Sequence, residues 1–113
     1  MPARLKLLSP DQLATAEADG DTRALVKHYL AVLEVRAPGR SVEVRVPPFA
    51  AVQVVPGVRH TRGTPPAVVE TDATTWLSLA TGRTTWSEAV DSGAVVASGE
   101  RTDLTPYLPL TTP

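Results

Sequence analysis

The stretch Thr71–Gly99, TDATTWLSLATGRTTWSEAVDSGAVVASG, constrains the fold more than any other part of the chain. Its punctuation is local and strong. Asp72, or Thr71 before it, is a helix N-cap whose side-chain oxygen accepts from the free N–H groups of the first turn. Trp76, Leu77, Leu79 and Ala80 follow at the i, i+3, i+4 spacing of a buried stripe. Gly82 supplies the left-handed residue that ends a helix. Thr85-Trp86-Ser87-Glu88 is a capping box, which starts a second helix with Trp86, Ala89 and Val90 on its apolar side. Gly93 stops that helix, and Ala94–Ser98 reads as a strand. Two short helices and a strand are therefore predicted, with both indoles facing inward. These are the chain's only tryptophans, and they are its largest apolar side chains.

The upstream sequence alternates helix and strand signals. Ser9-Pro10-Asp11-Gln12 combines a serine cap, a proline at the first helical position and a box-closing glutamine. It opens a short helix to about Ala18. Gly20 interrupts, Asp19 or Asp21 caps again, and Thr22–Arg36 is the longest helix candidate. Leu25, Tyr29, Val32, Leu33 and Arg36 line one face, widened by Val26 and Leu30. Ala37-Pro38-Gly39 stops it. Arg40–Val46 alternates, with Val42, Val44 and Val46 on one side and Glu43 and Arg45 on the other, the mark of a half-buried strand. Pro47-Pro48 cannot donate to a ladder and ends it. Phe49–Val55 is the next strand, paired antiparallel to the first through a short connection. Four breakers fill Pro56–Pro66, and Ala67–Thr71 is a third strand. Thr102 or Asp103 caps a last helical turn with Leu104, Tyr107 and Leu108.

Strands and helices segregated in this way predict an α+β domain. The expected sheet is mostly antiparallel, with four to five strands and helices on one face. At 113 residues the chain is read as one domain, 1–113, with 1–9 and 110–113 frayed. A net charge of −1 offers no basic field for nucleic acid and no polybasic run for anionic lipid. The absence of cysteine excludes disulfides, thiolate metal sites and cysteine nucleophiles. Neither a signal peptide nor an apolar run of membrane length is present, so no stable membrane insertion is expected and the cytoplasm is the default location.

The helix, glycine, helix, strand order resembles the C-terminal half of the sterol-carrier-protein fold. Trp76, Leu77, Leu79, Gly82, Ala89, Gly93, Gly99, Glu100 and Leu104 carry the likeness. Arg45-Val46-Pro47-Pro48 and His60-Thr61-Arg62-Gly63-Thr64-Pro65-Pro66 look like the pattern of bacterial sterol carrier family proteins. Those are similar to the C-terminal domain of mycothiol-dependent maleylpyruvate isomerases. The resemblance covers roughly Arg23 to Leu110. It implies a small non-catalytic domain that binds an apolar or amphipathic, lipid-like molecule. Alternatively, it implies an accessory domain that docks on a DinB-like partner and contributes Arg62 and His60 to a shared site. A homodimer fits either reading.

Two groups of candidate site residues follow. Trp76, Leu77, Leu79, Ala80, Trp86, Ala89 and Val90 could wall an apolar pocket, or could be plain core, because both have the same composition. The shorter helices and tail, with one Phe and one Met, point to a smaller cavity than in lipid-carrying relatives, or none. His60 and Arg62 could form an anion-binding or proton-transfer pair. Equally, they could pair with Glu70 and Asp72 and fix a proline-rich crossover. No cofactor is expected. His28 and His60 lack a neighbouring ligand at metal-binding spacing. The acidic group Asp11, Glu17, Asp19 and Asp21 lacks the ligand order of a calcium loop. No nucleophile, base and orienter fall at readable spacing, so an enzyme is the least favoured reading.

Overall fold

The computed structural model describes residues 5–57 and 67–111. Four α-helices and four strands occur among them: α1 (Pro10–Asp19), α2 (Thr22–Arg36), β1 (Val42–Val46), β2 (Ala50–Val54), β3 (Ala67–Thr71), α3 (Ala73–Thr81), α4 (Trp86–Asp91) and β4 (Val95–Ser98). A 3-10 turn, Thr105–Tyr107, follows. The caps fall where local chemistry puts them. Ser9 and Gln12 close a capping box on α1, Asp21 caps α2 and Asp72 caps α3.

The strands form one sheet in the order β2-β1-β3-β4. β1 and β2 pair antiparallel, with Val44 opposite Val52, and β3 and β4 pair antiparallel, with Thr71 opposite Val95. The central pair, β1 and β3, is parallel. The fold is α+β as expected, but the sheet is mixed and four-stranded rather than mostly antiparallel. The register supplies the reason. Val54, at the end of β2, and Ala67, at the start of β3, both lie beside Val42. The chain therefore re-enters the sheet at the end where β1 begins and runs the same way.

The alternation in β1 sorts the two faces of the sheet. Val42, Val44 and Val46 are fully buried, together with Val54 and Val69 of the neighbouring strands. Each such side chain contributes about 1.5–3 kcal/mol on leaving water. Glu43 and Arg45 lie on the opposite face and form an ion pair. Helices cover the apolar face: α2 lies against β2, α4 against β4, and both α1 and α3 against α2. Because α2 has neighbours on several sides, its buried set is Val26, His28, Tyr29, Leu30, Ala31 and Leu33. Of the expected face, Tyr29 and Leu33 are buried, as are the widening residues Val26 and Leu30, while Leu25, Val32 and Arg36 at its margin are half-buried.

The link from α2 into the sheet is tight. Val55 holds a left-handed backbone (φ 72°) just after β2. Its N–H donates to the Ala37 carbonyl at 2.6 Å and its carbonyl accepts from Ser41 N at 3.2 Å. A Cβ at Gly39 would fall 2.2 Å from that carbonyl oxygen, so only glycine fits there.

Both ends of the described chain are tied to helices, the C-terminal one to α3 and the N-terminal one to α2. Leu110, at the start of the segment expected to fray, is 3% exposed and donates its N–H to the Ala80 carbonyl. At the other end, the Leu8 N–H donates to His28 Nδ1 at 3.0 Å. That bond requires an unprotonated Nδ1. Burial lowers the His28 pKa, while Glu17 on α1 pulls it the other way. Below about pH 6.5 the unfolded imidazole takes a proton that the folded one resists. Stability should therefore fall as the pH drops from about 6.5, and level off once folded His28 is itself protonated. Urea midpoints measured between pH 8 and pH 5 check this against His28→Asn, which keeps an acceptor for Leu8 but does not titrate. Equal pH slopes for the two proteins would remove His28 as the cause.

Candidate functional site

Three local devices build one cavity. α3 ends at Gly82 (φ 81°), and the Gly82 and Arg83 N–H groups turn back onto the Leu79 and Ser78 carbonyls. Thr85 and Glu88 close the capping box on α4, which sets Trp86 at the first position of that helix. The C-terminal segment then folds back across both helices. Leu104 is fully buried and anchors the segment. The Asp103 carboxylate accepts from the backbone N–H and the hydroxyl of Thr105 and shapes the turn. These two bonds, hydroxyl first, hold the Asp103 pKa below the ordinary carboxylate value. Arg36 at the end of α2 donates to the Pro109 and Leu110 carbonyls, at 3.0 Å each.

Between these elements lies a cavity of about 230 Å³, partly open to solvent. Leu79, Trp86, Leu108 and Pro109 supply its apolar walls, and Thr84, Thr85 and Thr105 its polar ones. Gly82 also borders it, and nothing bulkier stands between the turn and the Pro109 ring.

The structure separates the candidate residues. Trp76 and Ala80 are core, 1% and 0% exposed. The Trp76 indole N–H donates to the Val26 carbonyl at 3.4 Å. Leu79 belongs both to the core and to the cavity wall. Leu77 is partly buried against the core, and Ala89 is buried in it. Both indoles face inward, but to different depths: Trp76 is enclosed, while Trp86 is half-buried against the core and lines the cavity. Val90, expected on the same apolar side, falls elsewhere. It is 39% exposed and does not border the cavity. α4 has six residues, and its inward seam is spent on Trp86 and Ala89, which leaves Val90 turned away. His60 and Arg62 lie outside the described residues.

Sequence reasoning missed the second wall. Thr84, in the turn between α3 and α4, and Thr105, Leu108 and Pro109, in or just after the expected last helical turn, are not among the sequence candidates, because no local pattern places that turn against the helix pair. The available signal was the run Leu108-Pro109-Leu110, two large apolar side chains in a segment that proline keeps from being helical.

A family model described as a bacterial SCP ortholog matches residues 19–110, from the end of α1 to the last buried leucine of the tail. The match spans α2, the whole sheet, the α3–α4 pair and the folded-back tail. The chain belongs to this family of sterol-carrier-like (SCP2-like) domains. No curated protein matches the sequence. None of the described helices is long and apolar enough to cross a membrane.

Proposed function

We propose that the chain is a small binding domain of sterol-carrier type, which shelters an apolar or amphipathic small molecule between α3, α4 and the C-terminal segment. The observation that carries this reading is the mainly apolar cavity with the Trp86 indole in its wall. Family membership supports it.

Size sets the scale of the ligand. Ligand pockets commonly span about 300–1,000 Å³, and this one is about 230 Å³. A dry apolar cavity of about 150 Å³ already admits benzene. One ring or a short chain therefore fits, and any larger lipid leaves the rest of itself outside. Burying roughly 100–200 Å² of ligand surface gives about 2.5–5 kcal/mol before association entropy is charged against it. Affinities no tighter than about 0.2 mM, and in the millimolar range for most ring-sized probes, are expected.

Tryptophan fluorescence tests the proposal. Trp76 is enclosed, so ligand-dependent change should come from Trp86. Titration with a panel of small cyclic and short-chain molecules should give a saturable shift or quench in the native chain. The same titration of Trp86→Phe should be silent. A flat response of the native chain across the panel would count decisively against binding in this cavity.

A further inference from the structure

The wall chemistry of this cavity narrows the class of molecule that can enter. None of the described residues lining it carries a charge. Two of its three threonine hydroxyls are committed. Thr85 Oγ1 accepts from the Glu88 N–H at 3.1 Å and donates to Glu88 Oε1 at 2.9 Å. Thr105 Oγ1 donates to Asp103 Oδ1 at 2.5 Å. With those two hydroxyl protons taken, two side-chain donors remain among the described lining residues, the Thr84 hydroxyl and the Trp86 indole N–H. Neither has a hydrogen-bond partner among the described residues. Both residues are half-buried, and no buried side-chain polar atom lacks a partner among the described residues, so both groups reach water.

Charges of both signs stand one hydrogen bond behind the walls, and among the described residues none lines the cavity itself. The Glu88 and Asp103 carboxylates stand one hydrogen bond behind the threonines. The Arg36 guanidinium, which reaches Pro109, is directed at the Pro109 and Leu110 carbonyls. A carboxylate or phosphate entering here would lose hydration and meet no lining cation, with the nearest guanidinium already engaged by carbonyls. An ammonium would lose hydration against mainly apolar walls, with both carboxylates already engaged. A neutral acceptor loses least, since it replaces water on the indole N–H and the free hydroxyl.

Taking the cavity as the binding site, we propose that its ligand is an uncharged molecule of one ring or a short chain, with a single hydroxyl or carbonyl that bonds to the Trp86 indole N–H and the Thr84 hydroxyl.

The test is NMR titration of the nitrogen-labelled chain with five matched probes: methylcyclohexane, cyclohexanol, cyclohexanone, cyclohexanecarboxylate and cyclohexylamine. The Trp86 indole resonance is assigned by its loss in Trp86→Phe. The alcohol and the ketone should move it saturably. The carboxylate and the amine should bind at least about tenfold more weakly than the alcohol. Thr84→Val should weaken the alcohol about three- to tenfold and leave methylcyclohexane unchanged. If either charged probe binds within about threefold of the alcohol, the charge selection is wrong and the cavity still binds. If Thr84→Val leaves the alcohol unchanged and the alcohol binds no better than the hydrocarbon, the polar recognition is wrong. If no probe shifts any resonance saturably, this inference and the binding function fall together.

Discussion

Replacing Trp76 with alanine should remove about 3–5 kcal/mol of stability, the usual cost of truncating a buried aromatic to alanine. For a domain of this size, total stability is about 5–15 kcal/mol, so the variant stands at the edge of unfolding. The indole is 1% exposed and shares the inward face of α3 with Leu79 and Ala80, themselves 1% and 0% exposed. Its removal would open a cavity where α3 meets α2 and leave the Val26 carbonyl without its indole donor. Trp86→Ala should behave differently. That ring is half-buried and already borders open space, so much less packing is lost. About 1 kcal/mol is expected, near the typical value for a point substitution. Urea unfolding of the two variants separates them. Similar midpoints would mean that the two indoles are equivalent, and would contradict both the enclosed site of Trp76 and the wall position of Trp86.

The contrast between these two tryptophans also marks where sequence reading stops. Each sits behind a clear cap, Asp72 or Thr85, and each begins an i, i+3 or i+4 apolar series. Caps and glycine stops act within a few residues, so they could be read directly. The capping boxes at Ser9 and Thr85 and the stop at Gly82 all formed as expected. So did the faces of β1, because alternation within one strand is local information. What distinguishes Trp76 from Trp86 is not local. Trp76 lies within a nine-residue helix covered by α2, whereas Trp86 opens a six-residue helix beside the tail. The parallel direction of β3 was illegible for a related reason. A pattern of buried and exposed residues fixes a strand's faces, not its direction, and direction here follows from where residue 67 re-enters the sheet. The candidate site was half legible: Leu79 and Trp86 from the helix pair, but none of the tail wall. The tail's partners, Arg36 and Ala80, lie far from it in sequence, and no local pattern reports such contacts.

Arg36→Ala should loosen that wall and destabilise the protein by about 2–4 kcal/mol. Arg36 crosses 73 and 74 residues of sequence to reach Pro109 O and Leu110 O. Hydrogen bonds from a charged donor are worth about 1.5–3 kcal/mol each, and partial exposure of Arg36 discounts their sum. Its charge also lies in the last turn of α2, where it favours the helix dipole. Arg36→Lys separates the two effects. Lysine keeps the charge at the helix end but cannot present two nitrogens in a fixed fork to adjacent carbonyls. Most of the loss should therefore persist in the lysine variant. Each kcal/mol lowers the melting temperature by about 4–8 °C for a chain of about 100 residues. Hydrogen exchange then locates the damage. The Leu110 amide, bonded to the Ala80 carbonyl at 2.8 Å, should lose protection first, while the amides of β1 keep theirs. Since Leu108 and Pro109 form one wall of the cavity, the same variants should bind ring-sized probes more weakly. Unchanged Leu110 protection in Arg36→Ala would show that the tail is held by its own apolar contacts, and that the guanidinium fork does not set the shape of the cavity.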